Sequence, residues 1–199
     1  MVDARDAGAL DAATAGLERV IAVAGDVTDP DHRRALVHAA EGRPIDLLVS
    51  NASRLGPSPL PPLADHPLDE LARVFATNVL APLGLVQLAL PRLAPGAAIV
   101  HLSSDAAVEA YPGWGGYGSS KAALDHLTSV LAAEHPALRV YAVDPGDMRT
   151  QMHQDAFPGE DISDRPPPED SVPRLLALIE GTLPSGRYRA ADLGASLSA

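Results

Sequence analysis

Ala98-Ile99-Val100-His101-Leu102-Ser103-Ser104 is a short apolar run that ends in two hydroxyls, and Tyr117-Gly118-Ser119-Ser120-Lys121 begins thirteen residues after Ser104. The first reads as a buried strand and the second as the opening of a helix. Comparable runs stand at Val20–Ala24, Ile45–Val49 and Val140–Val143, with a weaker one at Arg187–Ala190. Helical patterns alternate with them, at Ala7–Leu17, Asp31–Ala40, Leu68–Leu90, Tyr117–Glu134 and Ser171–Glu180. Asp29 suits the N-cap of the second, with Pro30 at N1, and Pro82 predicts a bend in the third. The strands are continuous rather than alternating apolar runs, as burial on both faces requires. The order predicts an α/β fold with a mainly parallel sheet, and a length of 199 residues suits one domain over 1–199.

Lys121 is the only lysine among fifteen basic residues. A site wanting positive charge alone would accept arginine, so this one calls for a compact, movable ammonium. On a helix Tyr117 and Lys121 share a face, and the ammonium there favours the ionised phenol, poising it for proton exchange. An exposed lysine that happens to follow a tyrosine has the same spacing, so context decides.

The other strand ends are polar as well. Asp26-Val27 follows Val20–Ala24, Ser50-Asn51-Ala52 follows Ile45–Val49, and Asp144-Pro145-Gly146 follows Val140–Val143. Each alone reads as a cap or turn. Together they outline one crevice at the carboxyl ends of a parallel sheet, where ligands bind. A G-x-G-x-x-G match at Gly113, Gly115 and Gly118 opens a helix, but no strand immediately precedes it; these glycines read as a flexible turn.

The formal net charge of −11 repels a phosphate backbone or an anionic membrane. The absence of cysteine removes disulfides, thiolate nucleophiles and zinc-thiolate sites, and a cytoplasmic location is expected. No secretory signal pattern opens the chain, and the longest apolar run, Val79 to Leu90, contains Pro82 and Gln87, so no membrane span is expected. The histidines lack metal-ligand spacing; His101, His126 and His153 read as packing or surface residues, and no metal is assigned. Two proline-rich segments, Arg54–Pro67 and Phe157–Pro168, read as loops, the second as either a cover over a ligand site or an irregular connection.

With Asp26-Val27, Asn51-Ala52, Asn78, Ser104, Tyr117/Lys121 and Pro145-Gly146 through Thr150 in order, the chain resembles the short-chain dehydrogenase/reductases from about Val2 to Leu193. The resemblance implies a Rossmann-like doubly wound parallel sheet and an NAD(P)-dependent oxidoreductase that interconverts a carbonyl and an alcohol by hydride transfer. Tyr117 would be its acid/base, Ser104 a hydrogen-bond donor to the reacting oxygen, and neighbouring Ser103 would face the other side of the strand. Lys121 would lower the tyrosine pKa and bind the nicotinamide ribose, and Asn78 would hold a relay water, a helix-bending buried amide being the alternative. Asp26 and Val27 would contact adenine, Asn51 and Ala52 the ribose side, and Thr150 with the Pro145-Gly146 turn the nicotinamide carboxamide. Arg5 points to NADP over NAD, and Ser53 stands where the family usually has glycine. Pairing into a homodimer or homotetramer would use Leu68–Leu90 and Tyr117–Glu134.

The family's opening strand, glycine-rich T-G-x-x-x-G-x-G turn and first helix have no counterpart before Met1-Val2-Asp3-Ala4-Arg5, which corresponds to the end of the second family strand. The expectation is an N-terminally truncated Rossmann domain lacking the first strand, first helix and most of the second strand. A gap would then separate Val20–Ala24 from Ile45–Val49, and NADP binding would be weak or absent. Two readings stay open: a piece of a longer NADP-dependent oxidoreductase, or a truncated, non-catalytic remnant acting as a binding or oligomerisation module.

Overall fold

The computed structural model of the protein describes residues 1–193. Its strands are β1 (Val2–Ala4), β2 (Ala22–Ala24), β3 (Ile45–Ser50), β4 (Leu93–Leu102), β5 (Arg139–Asp144) and β6 (Gly186–Arg189). The α-helices are α1 (Ala7–Thr14), α2 (Pro30–His38), α3 (Leu68–Phe75), α4 (Ala81–Ala89), α5 (Gly115–Glu134), α6 (Gln151–Ala156) and α7 (Val172–Glu180). Asp29 caps α2 by accepting from the Asp31 amide at 2.8 Å, with Pro30 in the first turn, as its sequence predicts.

Every strand pairing is parallel, but the strands form two sheets, β1-β2 and β3-β4-β5-β6. The expected gap is therefore present. Val2–Ala4 nevertheless forms a strand in register with Ala22–Ala24, so only one of the two family strands expected to be lost from that interval has no counterpart among the described residues. Helix α2 packs on α4 and links the small sheet to the large one.

Strand β4 carries the core. Ala98 and Val100 pack with Tyr141, Val143 and Leu178 towards α7, whereas Ile99 packs with Val86, Leu131 and Val140 towards α4 and α5. This two-sided burial is what a continuous apolar run encodes. Strand β3 departs from it: Leu48 packs on the core, but Leu47 and Val49 are 39% and 42% exposed because no described element covers their face.

The helical stretch Leu68–Arg92 is interrupted by a π-helical turn at Ala76–Leu80 rather than bent at Pro82 itself. Proline lacks the amide hydrogen that would bond one turn back, and the wider turn just before it places Asn78 inside the domain. Leu68–Arg92 has the length of a membrane-crossing helix and holds an 18-residue window apolar enough for one, at a mean hydropathy of 1.6, which the Val79–Leu90 run alone did not convey. Here Val74, Val79, Ala81, Val86 and Ala89 from it are buried in the domain.

Candidate functional site

The predicted residues divide between two clefts at the carboxyl ends of the strands. Arg5, Asp26, Val27, Asn51 and Ala52 line a cleft of about 750 Å³ whose walls come from both sheets. Ser104, Tyr117, Pro145, Gly146 and Thr150 line a pocket of about 110 Å³ together with Trp114, Met148 and Met152. Asn78 and Lys121 line neither; each is buried, at 1% and 2% exposure.

Local chemistry explains how these groups are held. Thr150 caps α6 by accepting from the His153 amide at 3.2 Å. Gly146 takes a left-handed φ of +80° after Pro145, and its amide donates to Asp144 Oδ1 at 3.0 Å, a turn that favours glycine. Asp26 accepts from the Thr28 amide and hydroxyl, which hold its carboxyl below the ordinary value with further help from Arg5. Gly118 is no flexible turn: it lies within α5, where an added Cβ would come 2.5 Å from the Ala106 carbonyl oxygen. This close approach seats the helix against the segment that follows Ser104.

Tyr117 is 8% exposed and packs edge-on against Trp114, ring centroids 5.8 Å apart. Burial pushes its phenol up to about 12, an effect that the nearby Ser53 and Ser104 hydroxyls oppose. The expected depression by Lys121 is absent from this geometry. The Lys121 ammonium lies 5.4 Å from the Tyr117 ring centroid and donates to the Leu102 carbonyl at 2.7 Å instead. Burial lowers Lys121 to about 8, with Asp125 one turn along the helix opposing that shift.

Asn78 is a buried amide in the π-helical turn. Its Oδ1 accepts from the Arg54 amide at 2.7 Å and Ser53 Oγ at 3.3 Å, and its Nδ2 donates to the Arg54 carbonyl and Ser120 Oγ, each at 2.9 Å. All four hydrogen-bonding positions of the amide are thus engaged by protein. Ser104 Oγ donates to Asp105 Oδ1 at 2.9 Å. Ser103 is 4% exposed, and its hydroxyl is buried without a described partner.

The short chain dehydrogenase family model matches residues 2–161. The chain belongs to this family. Among curated relatives, benzil reductase ((S)-benzoin forming) of Saccharomyces cerevisiae is 37% identical over 139 residues, which are 65% of this chain and 53% of that protein. Sepiapterin reductase of Mus musculus is 33% identical over 144 residues, 70% of this chain and 51% of its own. The chain spans about half the length of these curated relatives. Among solved structures, a short chain dehydrogenase from Escherichia coli CFT073 complexed with NADPH superposes with a TM-score of 0.86 at 27% identity, covering 94% of this chain and 84% of that one. The KRED1-Pglu enzyme gives 0.84 at 31%, covering 94% and 86%.

Against this family background, Ser53 and three residues given no role from the sequence, Asp105, Asp125 and Arg187, stand beside the predicted ones. Ser53 bonds Asn78 and lowers the phenol, so the side chain that departs from the family glycine lies beside Tyr117. Asp105 holds Ser104, and Arg187 reaches the Ser104 carbonyl at 2.8 Å and the Asp125 carboxylate at 2.9 Å. Only the hydroxyl after Asn-Ala carried a readable signal. The others come from segments that meet only in the fold.

His101 is a packing residue, as expected: Nδ1 lies 2.9 Å from Thr128 Oγ1 on α5. Burial, with Lys121 nearby, lowers it to about 4 from an ordinary 6.5. The unfolded chain therefore takes up this proton near pH 6.5 and the folded chain only near 4, so stability falls as pH drops through that interval. His101→Gln should remove up to about 3 kcal/mol of that acid sensitivity. Urea unfolding of both proteins across this range checks it; identical slopes would assign the loss to carboxylates.

Proposed function

We propose that the protein is an NADP-dependent oxidoreductase acting on a small carbonyl compound in the reducing direction. The observation that carries this reading is the convergence of the Tyr117 phenol and Ser104 hydroxyl in one pocket, with the buried Lys121 behind them. Family membership supports it, as do relatives that are themselves named reductases.

NADP(H), when bound, supplies the hydride. Tyr117, kept protonated by burial, donates its proton to the carbonyl oxygen; a phenol held near 12 suits donation better than abstraction. Ser104 exchanges its bond to Asp105 for one to the same oxygen. Trp114, Met148 and Met152 give the substrate pocket a partly apolar wall. Arg5 and Asp26 suit the adenosine end of NADP, and the Pro145-Gly146 turn with Thr150 suits the nicotinamide end.

The phosphate bridge fits less well. The N-terminus of α1 borders the large cleft, but the Asp6 carboxylate already accepts from its Ala9 amide at 2.9 Å, and no glycine-rich turn follows a strand there among the described residues. The resident residues thus suit the two ends of NADP and leave the middle weakly held. The divided sheet favours the second reading, a non-catalytic module that pairs with another copy through α3–α4 and α5. The reading also places the protein in the cytoplasm.

Steady-state assay of a ketone and aldehyde panel with NADPH tests the proposal. Turnover supports it. NADPH binding in a fluorescence titration without turnover of any carbonyl or alcohol supports the second reading instead.

A further inference from the structure

We propose that Arg187 on β6 is a positioning residue for this site: it pins the Ser104 end of β4 and engages the Asp125 carboxylate that would otherwise meet the Lys121 ammonium alone. The proposal rests on reading Ser104, Tyr117 and Lys121 as the reacting constellation.

One guanidinium reaches three elements. Its Nε donates to Asp125 Oδ2 on α5 at 2.9 Å, its Nη2 donates to the Ser104 carbonyl at 2.8 Å, and Nη2 lies 3.8 Å from Asp144 Oδ2 at the end of β5. The side chains of Arg187, Asp125 and Asp144 are 26%, 13% and 7% exposed, so water screens these contacts little. Such divergent bonds need the planar fork of arginine.

The Leu102 carbonyl is held by Lys121 at 2.7 Å and the Ser104 carbonyl by Arg187. Two cations therefore grip the backbone on either side of Ser103, fixing the direction from which the Ser104 hydroxyl leaves the strand. Asp125 links them: it sits four residues after Lys121 on the helix, and its Oδ1 is buried without a described partner. The charged and titratable groups beside Lys121 are Tyr117 and Asp125 from α5 and His101 from β4, and Arg187 from β6, which also nears Asp144 on β5, acts on it through Asp125. Removing Arg187 frees the Asp125 carboxylate for the ammonium, which favours protonated Lys121.

The single lysine makes this measurable, because protein labelled with ¹³C at lysine Cε gives one resonance to titrate by NMR. In Arg187→Gln the Lys121 midpoint should rise by about one pH unit, and in Arg187→Gln/Asp125→Asn it should return towards the wild-type value. In steady-state assays kcat should fall on the order of tenfold to a hundredfold with KM little changed. If Arg187→Gln fails to fold, Arg187→Lys carries the test: it keeps the charge and loses the fork, so kcat should still fall, and its added lysine signal is identified by its absence from wild type. A folded Arg187→Gln protein in which Lys121 titrates as in wild type would overturn the proposal, as would Arg187→Lys with undiminished kcat. Wild type without carbonyl turnover would instead remove the reductase reading, while the Lys121 titration would still report the hold of Arg187 on this site.

Discussion

Tyr117→Phe should lower kcat for carbonyl reduction by about a thousandfold, within the range that a positioned proton donor contributes. The substitution deletes one hydroxyl and keeps the ring that packs against Trp114 at 5.8 Å, so the fold should persist. The Ser53 and Ser104 hydroxyls keep their bonds to Asn78 and Asp105. KM should change little, because the lost bond matters most as charge develops on the carbonyl oxygen. Steady-state kinetics beside a thermal melt separate the two effects. Turnover within tenfold of wild type would place the acid elsewhere.

Lys121→Arg should be nearly as damaging to activity, lowering kcat by about a hundredfold, for a different reason. The ammonium occupies a niche that is 2% exposed, and burial there already lowers the lysine to about 8. Arginine is larger and cannot give up its charge, so it pays the desolvation in full and crowds the Leu102 carbonyl. A stability loss of about 2–4 kcal/mol is expected by chemical denaturation. Lys121→Met separates charge from packing: its stability should stay within about 1 kcal/mol of wild type, since an apolar chain fills the niche, while activity is lost. An active Lys121→Arg enzyme would remove the force of the lysine's uniqueness in the sequence.

The fold was legible where burial on both faces writes a continuous apolar run, as in β4, and where a cap is local, as at Asp29. It was less legible at the gap. A run such as Leu47-Leu48-Val49 signals a strand whether or not both faces are covered, and only the fold reveals the exposed one. The π-helical turn was marked by Pro82 nearby, but its position at Ala76–Leu80 depends on the bonds of Asn78 to Arg54 and Ser120. In the site, the order of residues placed Asp26, Asn51, Ser104 and Pro145 just after strands, as the structure has them. The protonation balance was not readable from spacing, because Tyr117 and Lys121 at i and i+4 predict attraction, whereas their burial sets both pKa directions. Arg187 lies sixty-two residues from Asp125, a separation at which sequence pattern carries no information on contact.

The most direct test of the central claim is transfer of deuterium from NADPH labelled at its reducing carbon to a ketone, followed by mass spectrometry of the alcohol. Wild-type protein is expected to place one deuterium on the carbinol carbon for each NADPH consumed, and Tyr117→Phe to place almost none in the same time. Wild-type protein that binds NADPH yet yields no labelled alcohol across the carbonyl panel would contradict the account.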